Sequence, residues 1–138
     1  MIYLVSKERT LFKSDKYKEL SPEDAIKMLK QEKILGADTE TEGLCPVSKK
    51  ILSIQLGNED FQIVWDCISY PLIMLKEVLE DPNILFIWHN YAFDSQWLLQ
   101  AGIVQCNYFD TMIGERVLNN GKDRSSYSVS LKACALKY

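Results

Sequence analysis

Between residues 33 and 67 the chain runs through three strand-like stretches, "KILGADTE", "KKILSIQLG" and "DFQIVWDC", separated only by short polar connections. Nothing else in the sequence narrows the fold so far. The junction "LGNEDF" places the turn residues Gly57 and Asn58 between the last two runs, a hairpin signal. Sequential strands with tight connections predict an antiparallel meander, because neighbours in sequence pair in space.

The pattern then changes. "PLIMLKEVLEDP" predicts an amphipathic helix opened by Pro71 and closed by Pro82. "NILFIWHN" is a continuous apolar run, as expected of a central strand covered on both faces. "YAFDSQWLLQAG" predicts a helix ended by Gly102. A short strand "CNYFD", a helix "DTMIGERVLNNG" ended by Asn120-Gly121, a polar loop and the start of another helix in "VSLKACALKY" complete the chain. Upstream, "IYLV" at residues 2–5 reads as a strand, with a possible second one near Thr10–Lys13. "SPEDAIKMLKQEK" opens with Ser21 as N-cap, Pro22 at the first helical position and Asp24 three residues after the cap. Ala25, Ile26 and Leu29 then form its apolar stripe. A meander followed by alternating helix and strand describes an α/β mixed sheet with helices on its faces, the order of a ribonuclease H-like fold.

At 138 residues, with 47% hydrophobic and 25% charged, the chain has the size and composition of one soluble domain spanning residues 1–138. No apolar run approaches the roughly 20 residues of a membrane span. "MIYLVSKERT" has neither the charged leader nor the cleavage site of a signal peptide. Cys45, Cys67, Cys106 and Cys134 are scattered and form no CxxC, and the single histidine, His89, has no cysteine near it in sequence. Reduced thiols in a cytoplasmic protein are the expectation, and a zinc site is not. A net charge of −3 argues against holding nucleic acid mainly by a basic surface. It leaves open an enzyme that gathers acids around divalent cations, which reverse the local charge.

The acids carry the chemistry. In an extended strand Asp38 and Glu40 point to one face and Thr39 to the other. Two adjacent carboxylates resist joint ionisation unless a cation lies between them, and Mg²⁺ or Mn²⁺ suits such an all-oxygen pair. The alternative is two solvated acids in a loop. In "FIWHNYAFDSQWL", Asn90 follows a strand and Asp94 sits in the first turns of a helix, outside the carboxyl edge of a sheet, where α/β active sites lie. Asp94 is therefore placed to meet Asp38 and Glu40. Capping by Asn90 and a favourable helix-terminal charge for Asp94 explain the same residues without function. Phe93 and Trp97, spaced i and i+4, fit a core; Asp110 fits a helix cap better than a metal ligand.

Together these segments resemble the 3′–5′ exonuclease domain of the DEDD superfamily, most closely the proofreading domain of family A (DNA polymerase I-like) DNA polymerases. "ADTETEGL" resembles its first motif, DxE, and "HNYAFD" its second. "FDTMIGERVLNNG" and "SLKACALKY" resemble the following segments in the same order, so that the resemblance covers about residues 34–138. The resemblance implies that Asp38, Glu40 and Asp94 are catalytic and ligate metal, and that Thr41, Leu44, Asn90 and Phe93 contact substrate, Leu44 as an apolar wedge against the last bases. It implies two divalent cations, Mg²⁺ or Mn²⁺, one activating a water that Glu40 orients and the other stabilising the leaving 3′-oxygen. The implied reaction releases nucleoside 5′-monophosphates from a single-stranded DNA 3′ end. The implied partner is a DNA polymerase domain in the same or a separate chain, in a bacterial or phage-infected cytoplasm. Lys49 and Lys50 are either phosphate contacts or solvated surface charges.

The sequence departs from the family in one respect. A fourth carboxylate belongs to a third motif, Tyr-x-x-x-Asp or His-x-x-x-x-Asp, and the chain ends at Tyr138 before that motif. The only later acids, Asp110, Glu115 and Asp123, are not in that pattern. The expectation is thus an exonuclease domain incomplete at its C-terminus: a fragment, a split protein or a degenerate domain. The alternatives are a non-catalytic nucleic-acid-binding or scaffold domain of the same fold, and a ribonuclease D-like RNA exonuclease.

Overall fold

Alternation along residues 34–41 sorts that strand into two faces, and the whole sheet inherits the division. The computed structural model describes residues 1–7, 16–120, 122 and 127–138. In chain order the elements are β1 (Ile2–Val5), β2 (Tyr17–Glu19), α1 (Pro22–Leu29), β3 (Ile34–Thr41), β4 (Ile51–Gly57) and β5 (Gln62–Asp66). A 3₁₀ turn (Leu72–Leu75) then leads into α2 (Lys76–Leu79), followed by β6 (Leu85–Trp88), α3 (Tyr91–Gln100), β7 (Tyr108–Asp110), α4 (Thr111–Leu118) and α5 (Leu131–Lys137).

The seven strands form one mixed sheet in the order β2-β1-β5-β4-β3-β6-β7. β3, β4 and β5 are the expected antiparallel meander, with Thr39 opposite Ile54 and Ile54 opposite Trp65. The turn between β4 and β5 requires its glycine. A Cβ on Gly57 would collide with the Phe61 carbonyl oxygen. Asn58 completes the turn by accepting from the Asp60 and Phe61 amides. β6 and β7 add in parallel on one side, β1 and β2 on the other.

On one face Leu35, Ile54, Leu56, Ile63, Trp65, Phe86 and Trp88 pack with Leu29 of α1, Leu75 and Leu79 around α2, and Leu98 of α3. Ser21 caps α1 by accepting from the Asp24 amide, as its sequence predicts. The opposite face carries Asp38 beside Gln55 and Glu40 beside Ser53, and it is only partly covered. All four cysteines are free thiols. Among the described residues no helix is long and apolar enough to cross a membrane.

Two expectations need correction, and one strand is new. The run "PLIMLKEVLEDP" is not one α-helix: it tightens to 3₁₀ over Leu72–Leu75 and is α only over Lys76–Leu79. Leu72, Leu75 and Val78 are buried at a spacing of three, which suits the 3₁₀ repeat as well as an α-helical stripe. β6 is not covered on both faces, since Phe86 and Trp88 are buried while Leu85 and Ile87 are only half-buried. The short strand Tyr17–Glu19 had no sequence signal; β1 recruits it in parallel. The strand expected near Thr10–Lys13 and Asp123 lie outside the described residues.

Candidate active site

The first turn of α3 stands over the end of β3, and a single hydrogen bond joins them. Thr39 Oγ1 donates to Asp94 Oδ1 at 2.6 Å. Both residues are buried, Thr39 8% and Asp94 2% exposed. Thr39 lies on the core face of β3, so the hydroxyl that its alternation turns inward is satisfied by the carboxylate of α3. Burial, opposed by the Thr39 bond and reinforced by the charge of Asp38, raises Asp94 from the ordinary 3.8 to about 6. Asp38 and Glu40 are exposed on the other face of the same strand. Asp38 is thus close enough to disfavour the charge of Asp94.

Asp110 builds the turn that delivers α3. Its carboxylate accepts from the Asn90 amide at 3.1 Å and the Tyr91 amide at 2.9 Å, and from the Met112 and Ile113 amides at 2.9 and 3.3 Å. One carboxylate therefore caps the N-termini of both α3 and α4. Asn90 occupies the N-cap position of α3, but its side chain makes no cap hydrogen bond. Its backbone is left-handed, φ 73° and ψ 50°, a conformation that asparagine tolerates better than most residues. Capping, one of the two roles open to Asn90 from sequence, is thus performed by Asp110.

The remaining candidates line the same end of the sheet. Thr41 Oγ1 donates to the Gly43 carbonyl at 2.8 Å and fixes the turn from which Leu44 projects, 84% exposed. Phe93 is half-buried, its ring 6.3 Å from that of Trp97. On the open face a cleft of about 330 Å³ is lined by Asp38, Gln55, Ile87, His89, Thr111 and Leu131. His89 braces it, with Nδ1 2.9 Å from Thr111 Oγ1 and Nε2 2.9 Å from the Val129 carbonyl, tying the segment before α5 to the end of β6.

Sequence reasoning singled out Asp38, Glu40 and Asp94. The structure brings Asp94 to the strand that bears the other two, but through Thr39. Among the described residues no three His, Cys, Asp or Glu side chains form a group able to hold one metal ion. The later acids are engaged elsewhere. Asp110 caps two helices, and Glu115 accepts from Lys137, Tyr138 and Asn119 at 2.7, 3.1 and 2.6 Å. The donor chemistry of Asp38, Glu40 and Asp94 nonetheless fits a hard divalent cation. All the atoms offered are carboxylate oxygens, and a buried carboxylate beside a second one is the arrangement that a cation relieves. Sequence reasoning missed Thr39, whose place between two acids on the core face was the available signal. It also missed the double cap of Asp110, which no local pattern shows.

A mixed sheet with carboxylates at the end of its first meander strand and at the start of a following helix defines a ribonuclease H-like nuclease fold. The sequence matches the family model of the 3′–5′ exonucleases over residues 16–138, and the chain belongs to that family. Solved structures agree on the fold. The catalytic core of RRP6 from Trypanosoma brucei superposes with a TM-score of 0.69 at 20% identity, covering 86% of this chain and 31% of that one. RNase D of Escherichia coli, an exoribonuclease involved in structured RNA processing, gives 0.69 at 18% identity over 85% and 30%. NrnC of Brucella melitensis with bound Mg²⁺ gives 0.68 at 22% over 99% and 59%. The chain thus spans between about a third and three fifths of these relatives. No curated protein matches in sequence.

Proposed function

We propose that the chain is a metal-dependent 3′–5′ exonuclease domain of the proofreading type, hydrolysing the 3′-terminal phosphodiester of single-stranded DNA to nucleoside 5′-monophosphates. The observation that carries this reading is the placement of Asp94, buried and raised to about 6, against the strand of Asp38 and Glu40. Asp38, Glu40 and Asp94 would hold two divalent cations, Mg²⁺ or Mn²⁺. Bound there, the cations lower the pKa of a water and neutralise charge developing on the phosphate. The protein's own residues bind and orient. Leu44 offers an apolar wedge to the terminal bases. Asn90 presents an amide from a fixed left-handed turn, Phe93 contributes a ring beside it, and Thr41 holds the turn beneath Leu44. The partner in this reading is a polymerase domain, in the same or another chain.

A second reading, an RNA exonuclease, draws support from RNase D, itself an exoribonuclease. Among the described residues no three acids are gathered closely enough to hold one metal ion, so weak activity of the isolated chain is expected. Digestion of 3′-labelled DNA and RNA single strands of one sequence, side by side in Mn²⁺, decides between the two. Faster release of deoxynucleotides supports proofreading; faster release of ribonucleotides supports the alternative. The metal site is tested separately. Mn²⁺ should raise the wild-type melting temperature with concentration, and an unchanged midpoint would count against a site in the folded chain.

A further inference from the structure

β3 has a strand on each side for only part of its length. β4 pairs with it from Gly36 to Thr41, whereas the register with β6 runs from Ile34 opposite Leu85 to Gly36 opposite Ile87 and stops there. Beyond Gly36 the first turn of α3 takes the place of the missing strand, and Thr39 is where the two meet. Its hydroxyl, on the core face, donates to Asp94 Oδ1 at 2.6 Å. The helix itself has little left with which to hold Asp94. The amides of Asn90 and Tyr91 are accepted by Asp110, and that of Phe93 by the Asn90 carbonyl. The nearby Thr39 and Asp94 amides favour the charged carboxylate as well. A short bond from a hydroxyl to a carboxylate is among the stronger hydrogen bonds, and a β-branched donor is stiff at χ1, so the direction of the bond is fixed. The hydroxyl occupies Oδ1, and Oδ2 is the oxygen that it leaves. Asp38 and Glu40 are exposed on the other face of the same strand.

We propose that Thr39 is a positioning residue of the metal site. By engaging Oδ1 it holds the Asp94 side chain in one orientation and leaves Oδ2 for the cation to which Asp38 and Glu40 also turn. The acids of the open face thus depend on a hydroxyl of the core face. Ligating carboxylates are commonly hydrogen-bonded in their turn, and loss of such a partner costs about 10–100-fold in metal affinity. The inference rests on the exonuclease reading and adds to it the residue that sets the geometry of Asp94. A bond that only joined α3 to the sheet would matter to stability and not to metal.

The test titrates the full chain with Mn²⁺ at pH 8 and follows the free ion by its paramagnetic resonance signal, without substrate. Thr39→Val keeps the shape and removes the donor, and should weaken Mn²⁺ binding by about 10–100-fold. Thr39→Ser keeps the donor on a freer side chain and should stay within about threefold of the wild type. In Asp94→Asn an amide nitrogen replaces one of the two oxygens, and adding Thr39→Val should change the affinity no further. Circular dichroism at the assay temperature checks that each protein is folded. If Thr39→Val is not, Thr39→Cys takes its place, with similar size and only a weak donor, and a loss in the same direction is expected. An Mn²⁺ affinity unchanged in the folded variant, an equal loss in Thr39→Ser, or a further loss in the double variant overturns the positioning role and leaves the exonuclease reading standing. Absence of Mn²⁺ binding by the wild type overturns both.

Discussion

Thr39 Oγ1 and Asp94 Oδ1 lie 2.6 Å apart, joining residues 55 positions distant in sequence. The bond stabilises a buried carboxylate more in its charged form than in its neutral one. Thr39→Val, nearly the same shape without the hydroxyl, should therefore destabilise the fold by about 1–3 kcal/mol at neutral pH. The penalty should shrink below pH 6, where Asp94 is protonated. Urea unfolding of both proteins at pH 5 and pH 8 measures it.

Asp94 itself gives the stability a particular pH dependence. Its folded pKa, raised to about 6, lies above the ordinary 3.8, so the folded state holds the proton more tightly. The contribution is fully present below about pH 4 and is lost as pH rises through 6, amounting to at most about 3 kcal/mol. Asp94→Asn keeps an acceptor for Thr39 and removes the charge. The difference in unfolding free energy between Asp94→Asn and the wild type should grow in favour of the variant between pH 4 and pH 7. A difference that is flat across this range contradicts the burial of a charged carboxylate.

Asp110 serves two helices, and its loss should show in both. Asp110→Ala should cost about 2 kcal/mol, roughly one per cap. Amide exchange should quicken together in the first turns of α3 and α4, whose amides this one carboxylate accepts. Exchange that quickens in α4 alone would mean that the bond to Asn90 and Tyr91 does not hold the turn.

Glu115 predicts the opposite pH behaviour to Asp94. The Lys137 ammonium, Asn119 and Tyr138 hold its carboxyl below the ordinary range, against the opposing effect of burial. Its stabilisation is present above the ordinary carboxylate pKa and is lost as pH falls through the depressed value. Protection of α5 amides should therefore decline on acidification, and Glu115→Gln should lower it at neutral pH already. Unaltered α5 protection in Glu115→Gln would show that this cluster does not dock the helix.

The parts of this molecule that were legible in sequence are those whose signal is local. The alternation of Leu35, Ala37 and Thr39 against Gly36, Asp38 and Glu40 identifies both β3 and its two faces. Gly57 and Asn58 mark the hairpin that follows. Ser21 announces α1, which it caps through the Asp24 amide. What escaped depends on distant partners. Tyr17–Glu19 is a strand only because β1 offers it an edge. Asn90 adopts its left-handed turn because Asp110, twenty residues later, accepts its amide. The Leu72–Leu75 turn spaces its apolar residues as an α-helix also would, so the sequence pattern does not separate the two. The candidate acids Asp38, Glu40 and Asp94 were visible in order and spacing; the hydroxyl that binds Asp94 to the strand of the others was not.

In the proposed reaction Asp38, with Glu40 and Asp94, supports metal-dependent removal of nucleotides from a 3′ end. It is tested most directly by incubating a 3′-labelled single strand with the wild type and with Asp38→Ala at high enzyme concentration, with and without Mn²⁺. Mononucleotide release should require Mn²⁺ and disappear in Asp38→Ala, with the variant still folded by circular dichroism. Release that is equal in the two proteins, or no release by the wild type at any Mn²⁺ concentration, would contradict it.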